Sequence, residues 1–105
     1  MTNSITLVGR CHDQVDVQFF DSGSVVANFI LAVNRRDDLV PPDLFNLEIW
    51  GKNAQLASDR VKQGTLVGII GILKKDYWND VTTGEKREKY LIRVDRLEIL
   101  SNAAK

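Results

Sequence analysis

The sequence predicts an all-β domain, a five-stranded Greek-key barrel carrying one short helix. Three patterns point there: apolar and polar side chains alternating with period 2 along most of the chain, one stretch of 3.6-residue periodicity over 53–63, and two long β-type runs joined by a hairpin.

Ile5-Thr6-Leu7-Val8 opens as a strand, and Val15-Asp16-Val17-Gln18-Phe19 alternates until Asp21-Ser22-Gly23-Ser24 supplies a turn. Val25 to Val33 is a long β run whose apolar density implies partial burial on both faces. Arg35 to Pro42 reads as a loop, because the paired prolines remove donors and push the preceding residue out of helical space. In Phe45-Asn46-Leu47-Glu48-Ile49-Trp50 the odd positions form an apolar face and Asn46, Glu48 and Trp50 share the other. Trp50 therefore stands among polar neighbours, an unusual place for the largest apolar side chain.

Residues 53–63 form the one predicted helix, with Ala54, Ala57 and Val61 at i, i+3 and i+7 and Leu56 beside them. Asn53 is the expected cap, Lys62 suits the last turn, and Gly64 suits the left-handed position after the end. Thr65 to Trp78 and Lys89 to Leu100 are the last two strands, and Asn79 to Glu85 closes the long hairpin between them. This element order is that of the OB-fold, a small barrel that binds oligonucleotides and oligosaccharides. One domain is expected over residues 1–100, followed by a short tail at 101–105.

Composition bounds the function. At 105 residues, with 44% hydrophobic and 27% charged side chains, the chain has the make-up of one soluble globular domain. No apolar run approaches the roughly 20 residues needed to cross a bilayer, and the N-terminus has no secretory pattern. One cysteine fits a reducing compartment, so a cytoplasmic location is expected. Net charge is zero but polarised: residues 11–59 carry three basic and eight acidic groups, and residues 60–96 nine basic and five acidic. Such a chain can meet a polyanion with one surface, although two solvated halves would look the same.

An enzyme is not expected. Cys11 and His12 are each the only residue of their type, and as strand neighbours they point to opposite faces, so neither a zinc set nor a Cys-His pair is available. The glycines match no dinucleotide- or phosphate-binding spacing, and Asp37, Asp38 and Asp43 lack the ordered pattern of a cation loop. No cofactor and no metal is expected. By contrast, aromatic and basic residues interleave where Lys74-Lys75-Asp76-Tyr77-Trp78 enters the hairpin and Lys86-Arg87-Glu88-Lys89-Tyr90 leaves it. Cations that track phosphates beside rings that stack on bases are what a single-strand binder needs. Tyr77, Trp78, Lys86 and Arg87 therefore join Trp50 as candidate contacts; the competing view packs the rings on the hairpin and leaves the lysines to hydration.

Val25 to Arg36, Ile49 to Ala54, Lys62 to Val67 and Ile92 to Leu97 closely resemble the bacterial single-stranded DNA-binding protein family, especially its cyanobacterial members, over roughly residues 3–100. The resemblance implies an OB-fold assembled as a homotetramer that wraps single-stranded DNA without sequence preference in replication, recombination and repair. It puts stacking platforms at Trp50 and Trp78, and cationic contacts at Arg10, Arg35, Arg36, Lys52, Lys62, Lys74 and Lys75. Phe45 matches a subunit-interface position, and Ile5 and Leu7 on the first strand are further interface candidates.

The chain departs from the family in places. Asp37 and Leu44 stand where the family usually has tryptophans, and His12-Asp13-Gln14-Val15 replaces a usual Gly-x-Asp-Pro segment. The sequence stops at Lys105, before the flexible linker and acidic tip that family members typically carry. That fits either a naturally tail-less paralogue or one domain of a longer protein, and partners that dock on that tip are not expected of this domain by itself. The loss of two aromatic platforms, at Asp37 and Leu44, sustains a rival reading, an interaction module on the same fold, similar to primosomal adaptors, with weak DNA binding.

Overall fold

The computed structural model describes residues 1–37 and 39–102. Six strand segments and one helix follow in order: β1 (Ile5–Cys11), β2 (Asp16–Phe19), β3 (Val25–Val33), β4 (Asp43–Trp50), α1 (Lys52–Arg60), β5 (Leu66–Asn79) and β6 (Lys86–Ser101). The ladder runs β1-β5-β6-β4-β3, and β1 then pairs with β3, which closes the ring. All pairings are antiparallel except β4 with β6.

The sixth segment does not add a barrel strand. β1 and β2 lie successively along β3, with Cys11 opposite Leu31 and Asp16 opposite Asn28. Five steps of chain thus oppose three, and the two extra residues split one strand path into two. The ring is the five-stranded OB-fold barrel, with its first strand bent around the end of β3.

The core follows from the alternation. Leu47 and Ile49 of β4 are 2% and 0% exposed and meet Phe29, Leu31, Val67, Ile69, Ile92 and Val94 inside the ring. Each such side chain contributes about 1.5–3 kcal/mol by leaving water. Ala54, Ala57 and Val61 bring α1 against the barrel, chiefly on β3 and β4. On β3, Val26 and Ala27 are both buried, as its double-sided apolar pattern predicted. Gly71 lies where β5 passes β6 at a register shift, and a Cβ there would run into the Arg93 carbonyl.

The helix departs from expectation at both ends. It spans Lys52–Arg60, and Gly51 at φ 70° precedes it without a side-chain cap. The Asn53 side chain instead donates to the Asp95 carbonyl at 3.1 Å, a bond that ties α1 to β6. Val61 is already extended, so Lys62 lies beyond the last turn. Gly64, at φ 89°, serves the turn into β5, where the Thr65 N–H donates to the Lys62 carbonyl.

β5 matches its predicted length but is shifted by one residue, whereas β6 runs longer than predicted, starting at Lys86 and still including Ser101; residues 103–105 of the expected tail, like Asp38 of the acidic loop, lie outside the described residues. Ile5, Leu7 and Phe45 are half-buried and pack against the core. Among the described residues no helix is long and apolar enough to cross a membrane.

Candidate nucleic-acid interface

Cross-strand register assembles the site. On the outer face of the sheet, Asp16 pairs with Asn28, Asn28 with Glu48, and Glu48 with Arg93, so one row of polar side chains crosses β2, β3, β4 and β6. Trp50 lies two residues along β4 from Glu48 and is 39% exposed. On β5, Lys74, Asp76 and Trp78 continue the same face, because they oppose Leu91, Lys89 and Arg87 of β6. Both tryptophans therefore stand on one continuous surface, with Trp78 46% exposed.

Glu48 links the two halves of that surface. Its Oε1 accepts the Trp50 indole N–H at 3.0 Å and Lys74 Nζ at 3.4 Å. The second pin on Trp50 is the Phe20 ring, stacked against it. At the hairpin, Lys89 Nζ lies 6.0 Å from the centre of the Trp78 ring. The other face of the hairpin repeats the chemistry: Lys86 lies over Tyr77 at 5.3 Å, and Lys75 over Tyr90 at 5.1 Å. Tyr77 and Trp78 thus point to opposite sides of one arm, each ring beside a cation.

The predicted cations divide into three groups. Lys74, Lys75, Arg87 and Arg35 carry carboxylate partners: Glu48, Glu88 at 3.2 Å, Asp80 at 3.5 Å, and Asp43 at 2.9 Å. These pairs are at least partly exposed and individually weak, so a phosphate can replace the carboxylate at little cost. Lys52, Lys62, Lys86 and Arg36 form no ion pair among the described residues. Arg10 donates to the Gly64 carbonyl at 2.9 Å, which holds it at the turn that begins with Lys62, away from the hairpin. The face with both tryptophans gathers Lys74 and Arg87 from this set, the opposite hairpin face gathers Lys75 and Lys86, and the rest lie elsewhere.

Sequence reasoning missed Phe20 and undervalued Lys89 and Tyr90. A Phe19-Phe20 pair just before a turn was a signal, because neighbouring strand residues cannot both face the core. Cys11 is buried and donates to the Asp13 carbonyl at 3.0 Å; burial pushes its thiol up, away from a reactive thiolate. His12, next to it, is exposed.

Comparison with known proteins agrees with this geometry. The profile of the Single-strand binding protein family matches residues 2–100. A Synechocystis protein named single-stranded DNA-binding protein 1 is 52% identical, over 95% of this chain and 84% of its own length. The single-stranded DNA-binding protein of Thermosynechococcus vestitus is 51% identical, over 95% of this chain and 83% of its own length. One from Borreliella burgdorferi is 36% identical, over 97% and 72%. With barrel, aromatic face and profile coinciding over nearly every residue, the chain belongs to the Single-strand binding protein family.

Proposed function

We propose that this protein binds single-stranded DNA as a non-enzymatic sheath, by stacking bases on aromatic rings and holding phosphates with lysine and arginine. The observation that carries this is the common face of Trp50 and Trp78, two exposed rings with Lys74 and Lys89 between them. Unpaired bases can reach such rings, and bases inside a duplex cannot. The names of the relatives point the same way. Replication, recombination and repair, in the cytoplasm, are the processes such a sheath serves.

Assembly as a homotetramer belongs to the same proposal. Residues 5–9 of β1 pair with β5 on one side, and only Arg10 and Cys11 continue onto β3. Val8, Ile70 and Leu100 form an exposed apolar patch across β1, β5 and β6. A free strand edge beside apolar side chains suits a symmetric contact between copies.

Titration with oligothymidylate across a salt series tests the binding reading. Affinity should fall steeply as salt rises, because released counterions oppose binding. Weak, salt-insensitive binding would favour the interaction-module reading instead.

A further inference from the structure

The sheet has a second unpaired edge, at β2. Among the described residues β2 pairs with β3 alone. The Phe20 N–H donates to the Ser24 carbonyl at 2.9 Å, and hydrogen-bonded pairs alternate along an antiparallel ladder, so Gln18 and Asp16 turn their backbone groups toward β3. Val17 and Phe19 turn theirs away. The Val25 carbonyl agrees: it belongs to the residue opposite Phe19, yet it accepts the Gly51 N–H at 3.0 Å, on the β4 side. Two backbone donors and two acceptors therefore line the outer edge of β2, and among the described residues no other strand or turn meets them.

The side chains along this edge are apolar on one face and acidic on the other. Val17 is half-buried and packs on the core, whereas Phe19, the next residue on that face, is 66% exposed. No lysine or proline blunts the edge, and its one charge is Asp16. Counting inward, β2, β3 and β4 together hold Asp16, Asp43 and Glu48 and no lysine or arginine. Asp13 and Asp21 flank β2 in the chain. Phosphates are repelled along such an edge, and a cationic segment is drawn to it.

We propose that the outer edge of β2 docks an extended basic segment of a partner protein, which joins the sheet as one more strand beside Val17 and Phe19. Main-chain hydrogen bonds to these two residues supply affinity, and alternate side chains supply selectivity. On one face an apolar side chain of the partner covers the exposed Phe19 ring; on the other, lysine or arginine meets Asp16, with Asp21 close by in the chain. A second copy of the same edge would set carboxylate against carboxylate, so the charge selects a different, basic chain. The site goes beyond single-strand binding, since it uses a part of the sheet that has no cation to offer a phosphate.

Titration of the whole chain with a capped peptide of three Lys-Val repeats, against its Glu-Val counterpart, tests this by chemical shift and amide hydrogen exchange. The basic peptide should bind roughly tenfold tighter or more than the acidic one. It should slow exchange at Val17 and Phe19 selectively, because the Phe20 N–H is already bonded within the hairpin. That signature separates strand addition from loose attraction between charges. Phe19→Ala should weaken the basic peptide roughly threefold, the scale of one cross-strand pair. Asp21→Lys should also weaken it and should leave the acidic peptide no weaker. Both positions are exposed, so the fold survives either change. Equal binding of the two peptides, binding of neither, or basic-peptide binding that leaves exchange at Val17 and Phe19 unchanged would overturn the proposal. The result is read independently of the oligothymidylate titration.

Discussion

The ring of Phe20 lies nearly parallel to that of Trp50, with centroids 5.9 Å apart and 15° between the planes. Phe20 arrives from the end of β2 and Trp50 from the end of β4, brought together because Val26 of β3 pairs with Trp50. With its indole N–H also tied to Glu48, Trp50 is held on an exposed surface before any ligand arrives. Less ordering then remains to be done on binding. Trp50→Ala should weaken single-strand binding by about 1–3 kcal/mol, one stacked base. Phe20→Ala should cost less, about 0.5–1.5 kcal/mol, the worth of an aromatic pair. Titration of both variants checks the order; an inert Phe20→Ala would mean the pair does not position the ring.

Both tryptophans should be quenched by single-stranded DNA and not by an equal amount of duplex. Each is exposed, at 39% and 46%, and each offers a face only an unpaired base can cover. Single-tryptophan variants, Trp50→Phe and Trp78→Phe, assign the signal. Equal quenching by duplex would remove stacking from the account.

Much of this was legible in the sequence, for identifiable reasons. Phe45, Leu47 and Ile49 alternate with Asn46, Glu48 and Trp50, and since period 2 is a property of the strand itself, the placement of Trp50 followed directly. Partners set by distant register were not legible. The Lys74–Glu48 pair joins residues 26 apart, and Lys89 meets Trp78 only because Asp76 pairs with Lys89 across the hairpin. Counting cations therefore overstated how many are unpaired. Asn53 misled for a similar reason: a residue typed as a helix cap found a carbonyl on β6 instead, and glycine took the turn.

Gly71 and Gly68 should differ in tolerance although they sit three residues apart on one strand. A Cβ at Gly71 would collide with the Arg93 carbonyl, and backbone cannot step aside cheaply. A Cβ at Gly68 would rest 3.6 Å from Leu100 Cδ1, an ordinary contact. Gly71→Ala should destabilise by about 1–3 kcal/mol, as overpacking does. Gly68→Ala should stay within about 0.5 kcal/mol of wild type. Urea denaturation of the two variants measures the difference.

The hairpin turn should loosen in acid. The N–H groups of Thr82 and Thr83 donate to Asp80 Oδ1 at 2.8 and 3.2 Å, and with Arg87 they hold this carboxyl below its ordinary value. A lowered carboxyl contributes stability that is fully present above its unfolded value and is lost as pH falls through the folded one. The amide shifts of Thr82 and Thr83 should therefore stay native at neutral pH and move only below the ordinary carboxylate range. Asp80→Asn should remove that transition; its persistence would place the titration elsewhere.

Leu44 shares a strand face with Asn46, Glu48 and Trp50, and it is 51% exposed. Six residues of β4 put it about 20 Å from Trp50, far enough along the outer face to serve another base. Leu44→Trp should therefore tighten single-strand binding, by up to about 1–3 kcal/mol if one more base stacks there. Asp37 differs in kind, since it lies in the exposed loop and its Oδ1 accepts the Leu39 N–H at 2.9 Å. Asp37→Lys gives up that turn bond and exchanges repulsion for attraction toward phosphate. Its gain should be smaller and confined to low salt, because a charge in an exposed loop is screened within about 10 Å at 0.1 M. A salt series on the two variants separates the effects: the Leu44→Trp gain should persist at high salt and the Asp37→Lys gain should vanish. If neither changes affinity while Trp50→Ala weakens binding as expected, the strand leaves β4 at Trp50 and does not run toward the Arg35–Leu44 loop.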